Sequence, residues 1–228
     1  MPQLPSLKPG CDRTELYGIR RGAKPVVQAA EELTSTMKLL HQRGWCDGTG
    51  GNFSVVLDRQ PLRLLMAPSG VDKGSVDSED LIEVNSSGEV IRGRGKASAE
   101  TLLHLRIIQC CRAGAVLHTH SIAGTLLSKM EQASGCLYLE GWEMLKGLKG
   151  VTTHDTSVSV PVIANNQDLQ KLSDSAVTRL TEAPNGLLVS GHGLYAWGDN
   201  LKEARRHTEI LEFLLELTWR QSLLRIHQ

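Results

Sequence analysis

Two histidines one residue apart, His118 and His120, are the residues of this sequence best placed to do chemistry. They close an apolar run, Ala115 to Leu117, that reads as a buried strand, and side chains at i and i+2 of a strand point to one face. Both imidazoles can therefore reach one point, which is half of a divalent zinc or iron site. An inert, hydrogen-bonded pair at a strand end is the other reading of the same spacing. His192 stands between Gly191 and Gly193 at the end of a second apolar strand, where flanking glycines let the backbone turn and a ligand approach. Three histidines with an open fourth position form the arrangement of a catalytic zinc that polarises a carbonyl or a bound water. The other histidines carry weaker signals. His104, one turn after Glu100, reads as a helix-face partner, His154 as a polar-loop residue, and His41, His207 and His227 as surface residues.

Anion-binding chemistry is the second possibility. The glycine-dense stretch Gly48-Thr49-Gly50-Gly51-Asn52 could present backbone N–H groups and the Thr49 and Asn52 side chains to a phosphate, or be an ordinary tight turn. No Lys-Ser or Lys-Thr follows it, and it lacks the dinucleotide G-x-G-x-x-G pattern, so neither of those nucleotide sites is present. Ser69 and Gly70 in a turn, and Ser98 in a helix cap, are further candidate phosphate donors. Two carboxylates, Glu100 and Glu143, could take or give a proton at a metal-bound carbonyl substrate, with burial tuning them toward neutrality. Spacing alone leaves both as solvated surface groups.

These residues need elements to position them. Val26, Val27, Ala30, Leu33, Met37 and Leu40 recur at helical steps, predicting a helix from Pro25 to His41. Strands are predicted at Phe53 to Leu57, Leu64 to Ala67, Leu81 to Val84 and Val90-Ile91, with turns between them. Ser98 is predicted to cap a helix from Ala99 to Arg112, and Ser121 to Lys129 reads as a short helix. Gly186 to Ser190 and Tyr195 to Trp197 read as strands. Asn200 opens a long last helix to about Leu224, with Leu211, Phe213, Leu214, Leu217 and Trp219 inward. Strands mixed with helices without strict alternation predict an α/β/α three-layer fold on a mainly antiparallel central sheet.

The chain has 228 residues, with Lys and Arg numbering 25 and Asp and Glu also 25, so the formal net charge is zero. That balance argues against a nucleic-acid coat or a membrane-surface protein, which need a basic excess. No apolar run approaches the roughly 20 residues that span a bilayer, and the three prolines before Lys24 argue against a secretory signal. Five cysteines without a C-x-x-C repeat fit free thiols in a reducing cytoplasm. The expected organisation is a flexible leader over residues 1–22 and one catalytic domain over 23–228.

Taken in order, Gly48-Thr49-Gly50-Gly51-Asn52-Phe53-Ser54, Ala67-Pro68-Ser69-Gly70, Ser98-Ala99-Glu100, His118-Thr119-His120 and Gly191-His192-Gly193 resemble the motif series of the class II aldolase/adducin family over about residues 25 to 220. The resemblance implies one zinc ion per subunit held by His118, His120 and His192. It implies a small sugar phosphate as substrate, its phosphate held by Thr49, Gly50, Asn52, Ser69, Gly70 and Ser98, and no nucleic-acid or membrane partner. A four-fold symmetric homotetramer with sites near subunit interfaces is implied as well. Gly44-Trp45, Glu143-Met144-Leu145-Lys146-Gly147 and Gly193 to Gly198 look most like the members that dehydrate a methylthio-ketose phosphate in methionine salvage, where Glu143 matches the acid/base residue. Glu100 matches the glutamate that serves the family's aldolases as base and displaceable metal ligand, so an aldolase or epimerase acting on a phosphorylated ketose is the alternative. Two departures from the aldolases are visible: Ala99 replaces the second serine of their phosphate-binding Ser-Ser-Glu, and no tyrosine follows Tyr195. A non-catalytic head like that of the adducins would have no reason to keep three converging histidines.

Overall fold

A computed structural model describes residues 26–225 of the chain. The leader expected over 1–22, Pro25 and His227 lie outside those residues. In chain order the elements are α1 (Val26–Gln42), β1 (Asn52–Arg59), β2 (Leu62–Met66), β3 (Ile82–Asn85), β4 (Val90–Arg92), α2 (Thr101–Cys111), β5 (Ala115–Thr119), α3 (Ile122–Met130), β6 (Cys136–Glu140), β7 (Ser157–Ile163), α4 (Leu169–Leu180), β8 (Gly186–Val189), β9 (Gly193–Gly198) and α5 (Leu201–Arg225). The strands form one sheet in the order β4-β3-β2-β1-β5-β9-β8-β7-β6. Only β7 and β8 pair in parallel; every other neighbour is antiparallel. The expected three-layer α/β/α arrangement on a mainly antiparallel sheet is what the chain adopts.

Side-chain alternation sorts the core into layers. Leu33, Met37 and Leu40 of α1 pack with Phe53, Ala115 and Leu117. Leu127 of α3 and Leu211 and Leu214 of α5 pack with Leu188, Leu194 and Ala196 on that same side of the sheet. On the opposite face α2 and α4, through Leu103, Ile107, Leu172 and Ala176, cover Val116, Leu187, Tyr195 and Trp197. Each fully buried Leu, Ile or Met side chain contributes about 1.5–3 kcal/mol, so the central strands β5 and β9, apolar on both faces, are the best-held part of the molecule. Among the described residues no helix is long and apolar enough to cross a membrane.

Several expectations need correction. The helix predicted from Ala99 starts at Thr101; Ser98 accepts the Glu100 N–H at 3.3 Å in a turn that precedes it. Phe213, expected inward on α5, is 45% exposed, because the helix turns that face away from the sheet. His207, expected on the surface, is buried, its Nδ1–H donating to the Trp197 carbonyl at 2.7 Å. His41 is only partly exposed, 3.7 Å from Asp72. The segment between α3 and β8, for which no element is predicted, holds β6, β7 and α4.

Candidate metal centre

The pairing of β5 with its neighbours brings the site together. Asn52 of β1 lies opposite His118, and Tyr195 of β9 lies opposite it on the other side. Tyr195 stacks on the His118 ring with centroids 3.8 Å apart and planes 9° from parallel. His118 Nδ1 is 2.9 Å from the Leu194 carbonyl. A carbonyl only accepts, so Nδ1 carries the proton and the Nε2 lone pair is left for a ligand. Gly193 must be glycine for β9 to sit this close, since a Cβ there would lie 2.0 Å from the Thr119 carbonyl oxygen.

The other two histidines are held by different elements. His120 follows the strand, its N–H donating to the Trp45 carbonyl at 2.7 Å. His192 sits on the turn between β8 and β9, and α3 fixes that turn twice. Thr125 Oγ1 donates to the His192 carbonyl at 3.0 Å, and the Gly191 N–H donates to Ser128 Oγ at 3.0 Å. The three Nε2 atoms converge: His118 is 2.8 Å from His120 and 3.3 Å from His192. Burial holds the His118 and His120 imidazoles below their ordinary pKa, which favours the neutral form a metal needs.

The donor set fits a divalent metal. Nitrogens bound tetrahedrally at about 2.0–2.1 Å from a zinc ion lie roughly 3.4 Å apart, close to the His118–His192 separation of 3.3 Å, and all three donor atoms lie within 4.8 Å of one another. Among the described residues these three are the one group of His, Cys, Asp and Glu side chains gathered this closely.

Glu100 stands at the rim of this cluster. Its Oε1 is 3.0 Å from His192 Nε2 and its Oε2 is 3.8 Å from His118 Nε2. Burial would raise this carboxyl, but the His192 hydrogen bond and the neighbouring imidazoles outweigh it and hold it at about 2. Asn52, expected as a phosphate ligand, donates its amide to Glu100 Oε2 and so orients that carboxylate. The glycine loop abuts the same centre: a Cβ on Gly50 would lie 3.0 Å from His120 Nδ1, and one on Gly51 would lie 2.8 Å from the His118 carbonyl. Thr49, Ser69 and Gly70 are exposed, and Ser98 is half-buried beside Glu100. The Ser69 N–H donates to the Lys96 carbonyl at 2.8 Å, which ties the Pro68-Ser69-Gly70 turn to the segment leading to Ser98.

Glu143 is placed elsewhere. It opens an exposed 3-10 turn, Glu143–Gly147, with its side chain 71% exposed. Lys146 hydrogen-bonds it at 2.5 Å, which holds its carboxyl below the usual range, and His154 Nδ1 is 3.5 Å away. None of these partners belongs to the histidine cluster.

Some residues of the centre carry no periodic signal in the sequence. His104 is buried, not a helix-face partner, with its Nδ1 2.8 Å from Ser54 Oγ and its ring edge-on to Tyr195. Glu212 of α5 lies behind β5, where its carboxylate accepts the Thr119 hydroxyl, on the side of the strand opposite His118. Burial pushes Glu212 up to about 7, against hydrogen bonds from Ser121 and Thr119, with Glu216 adding to the rise. A folded pKa above the ordinary carboxylate value means the folded state holds a proton the unfolded chain has released. The stability this confers is present below about pH 4.5 and is lost as pH rises through about 7. Glu212→Gln is expected to remove that slope, worth up to about 3 kcal/mol, and thermal melts of both proteins between pH 5 and pH 8 check it. Parallel pH profiles would refute it.

Comparisons with known proteins agree with this fold. Residues 31–219 match the family model described as Class II Aldolase and Adducin N-terminal domain. A methylthioribulose-1-phosphate dehydratase of Xanthomonas campestris pv. campestris (strain 8004) is 44% identical over 190 residues, covering 82% of this chain and 87% of that protein. A dehydratase of the same name from Serratia proteamaculans (strain 568) is 42% identical over 200 residues, covering 86% of this chain and 97% of its own. Among solved structures, YgbL of Escherichia coli, a putative aldolase/epimerase/decarboxylase, is similar with a TM-score of 0.74 at 26% identity, covering 86% of this chain and 90% of that one. With three-layer fold, ordered motifs and converging histidines in agreement, the chain belongs to the class II aldolase and adducin family.

Proposed function

We propose that this chain is a lyase that removes water from 5-methylthioribulose 1-phosphate to give 2,3-diketo-5-methylthiopentyl 1-phosphate, a step of methionine salvage. The observation that carries this is the convergence of three imidazoles beside an oriented carboxylate and a glycine loop, in a chain 44% identical to a dehydratase of that substrate. We take the metal to be zinc, one ion per subunit, held by His118, His120 and His192. When bound, it would supply Lewis-acid polarisation of the substrate's carbonyl, which acidifies the neighbouring C–H.

The reaction asks three things of the protein. The phosphate must be held, and we assign this to Thr49, Gly50, Ser69, Gly70 and Ser98, with Asn52 shared between the phosphate and Glu100. A proton must leave the carbon between the carbonyl and the departing hydroxyl. That hydroxyl must then leave as water, and the resulting enol relaxes to the diketone. We assign the proton transfers to Glu143 and the orientation of the reacting oxygens to Glu100, fixed by Asn52. Because Glu143 lies on an exposed turn, it acts in this reading on a site shared between subunits of a homotetramer in the cytoplasm.

Turnover of 5-methylthioribulose 1-phosphate by the purified protein, with and without a chelator, tests the assignment. Chelator-sensitive formation of the diketone, restored by zinc, is the expected result; no product from metal-loaded protein would reject it. A specific observation supports a second reading: Glu100, not Glu143, is the carboxylate placed among the histidines, as an aldolase or epimerase of a phosphorylated ketose would require. Release of dihydroxyacetone phosphate from fuculose or ribulose phosphates, followed by a coupled assay, would favour that reading.

A further inference from the structure

Lys73 is 1% exposed, which is unusual for a side chain carrying a full charge. Its ammonium donates to the Thr49 carbonyl at 2.9 Å and to the Val71 carbonyl at 2.8 Å. Among the described residues it forms no ion pair. Asp72, its neighbour in sequence, accepts the Gly74 N–H at 2.7 Å and faces His41 instead. Burial lowers the pKa of Lys73, outweighing the opposing pull of Cys46, Asp72 and Glu100. A buried charge of this kind is costly unless an opposite charge meets it.

Its two acceptors show where that charge acts. Thr49 belongs to the glycine loop Gly48 to Asn52, and Val71 directly follows Ser69 and Gly70. One ammonium therefore fastens together the two backbone segments to which the substrate's phosphate is assigned. Lys73 engages the Thr49 and Val71 carbonyls, and the Gly50 N–H donates to the Asp47 carbonyl at 3.1 Å, so the path of the loop is fixed. Gly48 and Gly51 both adopt positive φ, at 62° and 77°, which lets the loop turn tightly over Lys73. The loop itself contains no cation, so its fixed positive charge comes from Lys73 beneath it. Low polarisability around the buried ammonium keeps that charge weakly screened.

We propose that Lys73 is the positioning residue of the anion subsite, locking the 48–52 loop to the 69–71 turn and supplying the charge that an incoming phosphate neutralises. This rests on the reading that the substrate is phosphorylated, and its test separates the two. Metal-loaded full-length wild type, Lys73→Met and Lys73→Arg are compared for binding of inorganic phosphate by calorimetry, and for kcat and KM with 5-methylthioribulose 1-phosphate. Metal content and melting temperature are measured on the same samples. Lys73→Met is expected to weaken phosphate binding and raise KM in parallel, by about 10- to 100-fold, with kcat within about threefold of wild type. Lys73→Arg, which keeps the charge, is expected to recover most of the affinity. A purely structural lysine would lower metal content and kcat without a selective effect on phosphate. Phosphate binding by Lys73→Met within twofold of wild type overturns the proposal. If wild type binds phosphate in a Lys73-dependent way but leaves the ketose phosphate unchanged, the proposed reaction fails and this inference stands. Should Lys73→Met not fold, Lys73→Gln keeps donors for both carbonyls without the charge. Weak phosphate binding by it beside strong binding by Lys73→Arg supports the proposal, and equal binding by the two overturns it.

Discussion

Replacing His118 by alanine is expected to empty the centre of metal and to lower turnover by at least about 1000-fold, the loss of about 4 kcal/mol of transition-state stabilisation. His118 is the strongest choice of the three histidines because the fold determines it most completely. It is fully buried, stacked on Tyr195, and its protonated Nδ1 is committed to the Leu194 carbonyl. Its Nε2 also lies 2.8 Å from His120 Nε2 and 3.3 Å from His192 Nε2. Removing the ring also opens a cavity against Tyr195, so some stability is lost with the function. His118→Gln keeps most of the volume and serves as the control, since an amide is a far poorer ligand than an imidazole. Metal analysis of both variants beside melting curves separates the two effects. One metal ion per subunit and activity within tenfold of wild type in His118→Gln would refute the ligand assignment.

Much of this centre is legible in the sequence because its signals are local. The i, i+2 spacing of His118 and His120 at the end of an apolar strand, the glycines around His192 and the glycine loop before β1 each state a backbone geometry in consecutive residues. The strands at Phe53 to Leu57 and Gly186 to Ser190 are legible too, as short apolar runs bounded by turns. What stays hidden is set by long-range packing. Lys73 stands in the polar stretch Asp72-Lys73-Gly74-Ser75, and only the packing of the glycine loop against it buries the side chain. Glu212 is one acid on a helix rich in charge, and only the packing of α5 behind β5 shows that it faces Thr119. His207 and His104 are polar residues on amphipathic helices whose buried partners, the Trp197 carbonyl and Ser54, lie on other elements. In α4 the apolar residues Leu172, Ala176 and Leu180 are few among polar neighbours, and in β7 the alternation Val158, Val160, Val162 is interrupted by Pro161, so both elements depend on the sheet for their definition.

Glu143→Gln is expected to retain metal and fold while losing about 10²- to 10⁴-fold in kcat, the range set by removal of one general acid/base. The location of Glu143 makes a sharper experiment possible. Within one chain its partners are Lys146 and His154, and it shares its exposed turn with Met144, which is itself exposed. If the carboxylate serves a neighbouring subunit, then inactive Glu143→Gln and inactive His118→Gln proteins, unfolded and reassembled together, complement each other. A site in the mixed oligomer is whole when its histidines come from the first variant and its carboxylate from the second. At equal amounts with random assembly this holds for about a quarter of the sites, and a similar share of wild-type turnover should return. If Glu143 serves its own chain, no subunit in the mixture carries both intact parts and activity stays at the level of the single variants. If Glu143→Gln alone keeps wild-type kcat, the proton transfer belongs to Glu100, whose hydrogen bonds to Asn52 and His192 would then place it in a catalytic as well as an orienting role.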